Sequence, residues 1–216
     1  MIKQAIIPLA GLGTRLLPLT SVIPKELLPI NGKPNLEYIL EECTNAGINE
    51  FIFVVPKNRP SIKKYFFNDK FYKKIIKKKK DKRIKEVYKR LKKYQKKIKF
   101  VYQNRPDGTG DAVLKSKKYL KGKFFLMLLA DDLIIKKNCT KEMLLLHKKF
   151  SCSVIASKKV KSKTVSRWGI LGYKKKQKNS FLINEVIEKP KIKEAPSNFA
   201  IIGRYILPTK ILKILV

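Results

Sequence analysis

The 216-residue chain contains one histidine, one tryptophan, three cysteines and only 16 acidic residues. A lone His147 cannot build a histidine-rich metal site. Cys43, Cys139 and Cys152 are scattered and show no C-x-x-C spacing, so neither a disulfide framework nor a zinc site is indicated and a reducing cytoplasm is the expected location. Long apolar runs are also missing. The longest, Phe124 to Ala130, has the length of a buried strand and falls well short of the ~20 residues of a spanning helix. The stretch from Met1 to Ala10 lacks the charged-then-apolar run and cleavage site of a signal peptide. The expectation is a cytoplasmic protein with no membrane association.

Arginine is scarce as well, and this bears on the most abnormal number in the composition. Lys and Arg total 51, giving a formal net charge of +35, which by itself would suggest nucleic acid or an anionic membrane as partner. Only 7 of the 51 are Arg, the residue whose planar fork suits phosphate and base recognition. Residues with A/T-rich codons (Phe, Tyr, Met, Ile, Asn, Lys) number 103 against 36 of Gly, Ala, Arg and Pro, so drift in an A/T-rich genome is the expected source of much of the lysine. Nucleic acid is therefore not the expected partner.

The hydrophobic fraction of 44% suffices for a sizeable core. Ala5 to Ala10 is a short apolar run that stops at a glycine-containing turn, as a buried parallel strand would. Leu36, Ile39, Leu40 and Cys43 mark one face of a helix, with Pro34 near its start and Gly47 as its stop. Phe51 to Val55 reads as the next strand. Residues 57 to 97 form a Lys-rich excursion whose apolar spacing predicts a pair of amphipathic helices with solvated lysines. A strand at Lys99 to Tyr102, a Gly-rich loop, a helix beginning near Asp111 and a strong strand at Phe124 to Leu129 follow. Shorter strands are expected at Ser153 to Ser157, Gly169 to Tyr173, Phe181 to Ile187 and Phe199 to Leu207. This alternation predicts an α/β fold in a single domain over residues 1 to 216: a central, mostly parallel mixed sheet flanked by helices, with a β-richer C-terminal part.

Ligands of such sheets bind beyond the carboxyl ends of the strands. The first loop there, Ala10-Gly11-Leu12-Gly13-Thr14-Arg15, has glycines that let backbone N–H groups approach an anion and an Arg that adds charged donors. It is neither a Rossmann fingerprint nor a P-loop, since the third glycine and the Gly-Lys-Ser/Thr are absent. Downstream, Ile23-Pro24-Lys25-Glu26-Leu27-Leu28-Pro29 holds Lys25 between two prolines that stiffen the backbone. Two adjacent acids, Asp131 and Asp132, follow the strongest strand and offer hard oxygen ligands; the bland alternative is a solvated turn.

Together these motifs resemble the G-x-G-T-R…P-K-x-(L/M)-L-P signature of sugar-phosphate nucleotidylyltransferases. Val186-Ile187-Glu188-Lys189-Pro190 and the block from Ala195-Pro196-Ser197-Asn198 to Gly203-Arg204-Tyr205 make the chain similar to the bacterial UTP–glucose-1-phosphate uridylyltransferase family, with a Rossmann-like nucleotidyltransferase fold. Thymidylyltransferases do not usually carry the Ala-Pro-Ser-Asn block. The resemblance implies an enzyme that joins UTP and glucose 1-phosphate into UDP-glucose and pyrophosphate with Mg²⁺. It implies that Ala10, Gly11, Leu12 and Gly13 cradle the nucleotide and that Arg15 and Lys25 hold the triphosphate and its transition-state charge. Gln103, with Gly108 five residues later, would meet the uracil, and Asp131 would hold the metal. Gly169, Glu188 and Lys189 would hold glucose 1-phosphate, while Trp168 is as consistent with packing as with sugar stacking.

Two departures matter. The loop Gly108-Thr109-Gly110-Asp111-Ala112 has Asp where the family has His, an unfavourable charge beside a nucleotide unless Asp111 is the N-cap of the following helix. The family pattern also continues beyond Ile211 to Val216 into a segment with a second metal-binding Asp and much of the dimer-forming region, so the resemblance implies impaired catalysis and leaves a homo-oligomer open without its usual interface. The alternatives are a dTTP-dependent thymidylyltransferase, a noncatalytic nucleotide-binding remnant and a nucleic-acid-binding module.

Overall fold

The computed structural model describes residues 2–105, 107–177 and 179–215; Met1 and Val216, which bound two of the stretches named above, lie outside these. Strand β1 (Gln4–Pro8) leads through a two-residue hairpin, β2 (Pro29–Ile30) and β3 (Lys33–Pro34), into α1 (Asn35–Asn45) and then β4 (Glu50–Val55). Helices α2 (Ser61–Phe67), α3 (Asp69–Lys79) and α4 (Lys82–Gln95) precede β5 (Ile98–Tyr102), α5 (Gly108–Lys115) and β6 (Phe124–Leu128). After α6 (Cys139–Phe150) come β7 (Val154–Lys159), β8 (Gly169–Gln177), β9 (Ser180–Glu188) and β10 (Phe199–Pro208).

All strands but the β2–β3 hairpin join one eight-stranded sheet, in the order β5-β4-β1-β6-β10-β8-β9 with β7 paired to β10. The pairs β5–β4, β4–β1 and β1–β6 are parallel, while β10 runs antiparallel to β6, β7 and β8, and β8 to β9. The central part is thus the expected parallel α/β sheet, and the later chain is the β-richer part.

The apolar runs of β1, β4 and β6 reflect burial on both faces. Ala5, Ile7, Phe51 and Phe53 pack with Leu36, Ile39 and Leu40 of α1, and Ile6, Ile52, Val54, Phe125 and Met127 pack with Ala112 and Val113 of α5. Each of the Val, Leu, Ile, Phe and Met side chains among these contributes about 1.5 to 3 kcal/mol when taken from water. Helix α1 begins after the extended Pro34 and ends where Gly47, at φ +92°, lets the Ile48 N–H donate to the Cys43 carbonyl at 3.0 Å. Cys43 is fully buried in this core, and all three cysteines are free thiols.

The Lys-rich excursion contains three helices, which corrects the expected pair. Lys80 takes a left-handed φ of +52° and stops α3, and the Asp81 carboxylate accepts the Arg83 and Ile84 N–H groups at 2.7 and 3.3 Å to start α4. The three helices are docked: Arg90 Nε of α4 lies 2.7 Å from the buried Glu37 of α1, Tyr65 of α2 donates to the same carboxylate, and Lys92 of α4 donates to Asp69 of α3 at 3.0 Å. No helix among the described residues is long and apolar enough to cross a membrane.

Candidate functional site

Because β1, β4, β5 and β6 run parallel, their carboxyl ends share one edge of the sheet. After β1 the chain turns at Gly13, whose φ is +68° and against whose backbone Thr20 packs so closely that an added Cβ would meet Thr20 Cγ2 at 3.1 Å. The Thr20 hydroxyl donates to the Gly13 carbonyl at 2.8 Å and closes the loop. A single 3₁₀ turn at Lys25–Leu27 then brings Lys25 back over the loop, its Nζ 3.9 Å from where a Gly11 Cβ would stand. Lys25 Nζ donates to Asp131 Oδ2 at 3.0 Å. Arg15 is exposed and adds a longer-range attraction on Asp131.

The segment that carries Asp131 is held from several sides. Asn35, at the start of α1, donates to the Ala130 carbonyl. Arg204 of β10, with no exposed surface, donates to the carbonyls of Leu129 at 3.1 Å and Asp132 at 2.8 Å, and its fork is neutralised by Glu42 of α1 at 2.8 Å. The two adjacent acids divide their work: Asp132 Oδ2 accepts the Gly203 N–H at 2.8 Å, which leaves Asp131 as the one facing Lys25. Burial disfavours the ionised form of Asp131, but the Lys25 ammonium and, more weakly, Arg15 outweigh it and hold the carboxyl below its ordinary range. Among the described residues no cluster of three His, Cys, Asp or Glu exists that could cage a metal. A single ionised carboxylate still fits Mg²⁺, which takes one or two protein oxygens and completes its shell with phosphate and water.

Glu26 is the buried acid that sequence reasoning passed over. It is 1% exposed, and burial raises its pKa from 4.5 to about 7 against the opposing pull of a backbone N–H, of Lys25, whose Nζ lies 4.0 Å from Oε1, and of Arg59. The only hint in the sequence was an acid between two prolines in an acid-poor chain.

At the end of β5, Gln103 is 3% exposed and its N–H donates to the Val55 carbonyl at 3.0 Å. Its amide Nε2 donates to the Gly108 carbonyl at 3.1 Å and to Asp111 Oδ2 at 2.6 Å. Helix α5 starts at Gly108, where φ is +87°, and its cap position is Asp107, so Asp111 lies inside the first turn and is not the N-cap that the sequence suggested. Its charge is met instead by Lys115 Nζ, one turn on, at 3.1 Å.

On the antiparallel side, Gly169 and Glu188 are register partners across β8 and β9, and a Cβ at Gly169 would stand 2.9 Å from Glu188 Oε2. Lys189 follows at φ +46°, its N–H donating to the Trp168 carbonyl at 3.0 Å and its Nζ 3.6 Å from Glu188. Trp168 packs on the cluster of Val165, Ile170 and Ala200 with Lys158 over its ring at 4.3 Å, which makes it a packing residue. The Tyr205 phenol links the two sides: burial first, then Asp132, Glu188 and Asp131, push its pKa up.

These residues therefore gather in three groups along the sheet edge: Gln103 and Gly108 beyond β5, the glycine loop with Lys25 and Asp131 beyond β1 and β6, and Gly169, Glu188 and Lys189 at the β8–β9 end. Three strand spacings separate β5 from β6, about 14 Å. The glycine loop lies between, so an extended ligand can reach from Gln103 over Gly11–Gly13 to Asp131. The Ala195–Asn198 block lies elsewhere, beside a cleft of about 390 Å³ that no candidate site residue lines. The Ser197 hydroxyl there donates to the Leu171 carbonyl at 2.5 Å and accepts the Phe199 N–H at 2.9 Å, shaping the entry to β10.

The sequence pattern of the nucleotidyl transferase family matches residues 4–216. The chain belongs to that family. Its similarity to a UTP–glucose-1-phosphate uridylyltransferase of Staphylococcus saprophyticus subsp. saprophyticus is 38% identity over 95% of this chain and 71% of the relative. A UTP-bound UGPase from Acinetobacter baumannii superposes with a TM-score of 0.89 at 32% identity, covering 99% of this chain and 76% of that one. A UDP-glucose pyrophosphorylase complexed with UDP-glucose does so at 0.82 and 34% identity, covering 100% and 79%. Family membership accounts for the order of the sheet and for the glycine loop; the pairing of Asp111 with Gln103 is a feature of this chain's own side chains.

Proposed function

We propose that this nucleotidyltransferase transfers the uridylyl group of UTP to glucose 1-phosphate, giving UDP-glucose and pyrophosphate. A phosphate oxygen of glucose 1-phosphate forms the new bond to the α-phosphorus of UTP, the bond from that phosphorus to the bridging oxygen breaks, and pyrophosphate leaves with the electron pair. Such a reaction needs in-line positioning and charge neutralisation more than a covalent nucleophile. The observation that carries the reading is the Lys25 ammonium held over Gly11 and 3.0 Å from Asp131 at the carboxyl edge of the parallel strands.

In this reading the backbone of Ala10, Gly11, Leu12 and Gly13 cradles the nucleotide, and Arg15 and Lys25 meet its phosphates. Gln103 and Gly108 take the uracil. Gly169 leaves room for Glu188 to accept sugar hydroxyls, while Lys189 meets the sugar phosphate. Asp131 would hold Mg²⁺, which when bound lowers the negative charge on the phosphate oxygens. The UTP and UDP-glucose carried by the structural relatives support UTP over dTTP.

The test is pyrophosphate release from this chain with Mg²⁺, glucose 1-phosphate and either UTP or dTTP. Release with UTP in clear preference to dTTP is expected. No release with UTP, or equal rates with both nucleotides, would overturn the reading.

A further inference from the structure

We propose that Asp111 is a positioning residue that fixes the amide of Gln103 with its oxygen turned toward the nucleobase, and so selects bases that offer a ring N–H. The proposal rests on the reading above that Gln103 meets the base.

The argument is one of donors and acceptors. A glutamine amide has a nitrogen end that only donates and an oxygen end that only accepts, and the two can be exchanged by a half-turn of the side chain. Gln103 is buried, so both ends must find partners within the protein or on a ligand. On one side it faces the Gly108 carbonyl at 3.1 Å and the Asp111 carboxylate at 2.6 Å. Both are acceptors, and an ionised carboxylate cannot act otherwise. The amide nitrogen must therefore lie there, and Oε1 is left to face the other way. Lys115 Nζ, 3.1 Å from the second oxygen of Asp111, pairs with that oxygen and holds the carboxylate in place beside the amide. Gly108 alone would also accept, but a charge-assisted hydrogen bond is roughly twice as strong as a neutral one.

An outward Oε1 accepts from the N3–H of uracil. It meets the N3 lone pair of cytosine acceptor to acceptor. The Asp that departs from the family's His thus has a task beside the base, and its charge is spent on Lys115 and Gln103 rather than set against the nucleotide.

The experiment measures UTP and CTP binding by titration calorimetry, and kcat and KM with each, for the unaltered chain, Asp111→Ala, Asp111→Asn and Gln103→Ala, with circular dichroism on every variant. The unaltered chain is expected to prefer UTP. Asp111→Ala should lower the UTP-to-CTP preference about tenfold, mostly through KM, because the amide is then free to turn. Asp111→Asn, whose Oδ1 still accepts, should keep most of the preference. A role confined to helix stability would weaken both nucleotides together and leave the ratio intact. That result overturns the proposal, as does an Asn variant that loses the preference as fully as Ala, or an unaltered chain with no preference. If Gln103→Ala leaves the preference unchanged, the base-recognition reading itself fails, which is a separate outcome from failure of Asp111 alone.

Discussion

Two neighbouring side chains in the Pro24–Pro29 segment carry opposite consequences. In the proposed reading Lys25 meets the phosphates, so Lys25→Ala is expected to lower kcat by about 10²- to 10³-fold, the usual cost of removing one charge-stabilising donor. Initial rates under saturating UTP check this; a loss below fivefold would remove Lys25 from the chemistry. Glu26 acts on stability. Its pKa is about 7 in the folded chain against an ordinary 4.5, so the folded state holds a proton that the unfolded chain has already released across that interval. Stability from this group is therefore fully present below about pH 4.5 and lost as pH rises through 7. The offset corresponds to roughly 3 kcal/mol. Glu26→Gln should remove that part of the pH dependence and raise the urea midpoint at pH 8 relative to the unaltered chain; equal midpoints there would contradict it. Lys25 was legible in the sequence because two prolines and a glycine loop framed it. The burial of Glu26 was not, because it depends on side chains that only the folded chain brings around it.

The strand β10 shows how one element fixes another. Arg204 sends its fork across β6 to the carbonyls of Leu129 and Asp132 and pairs with Glu42 of α1, so it governs where Asp131 stands. Arg204→Ala would leave Glu42 charged and unpaired in the interior and should cost about 3 to 5 kcal/mol in urea unfolding. The double change Glu42→Leu with Arg204→Met should recover most of that stability, yet leave turnover low because the Asp131 segment loses its ties. Full turnover in the double variant would show that the segment holds itself. The strands were legible where burial on both faces made continuous apolar runs, as in Phe51–Val55. They were less so in β8, which was read as ending at Tyr173 and continues to Gln177, since its outer half pairs only with β9 and its lysines leave no apolar pattern. The left-handed stop of α3 carried no sequence signal of its own, because Lys80 rather than a glycine takes it.

The net charge of +35 falls heavily on α2 to α4, where Lys77, Lys78, Lys79 and Lys80 are all exposed. Acids are few enough that most of these lysines meet each other's field, and like charges at such density destabilise the compact state. Screening relieves that repulsion: the Debye length falls from ~30 Å at ~0.01 M salt to ~8 Å at ~0.15 M. The urea midpoint is therefore expected to rise over that salt interval, and replacing Lys77, Lys78, Lys79 and Lys80 with Gln should flatten the rise. If these lysines are solvated background, the same four substitutions should leave kcat and KM for UTP within about twofold. A second reading of the charge, as a footprint for nucleic acid, predicts tight and salt-sensitive binding of a generic duplex or RNA at physiological ionic strength, abolished by those substitutions. The two accounts separate in one titration. A salt-indifferent midpoint together with such binding would reverse the assignment of the charge, whereas a salt-dependent midpoint without it keeps the polyanion of this protein a nucleotide and the excess lysine a stability cost.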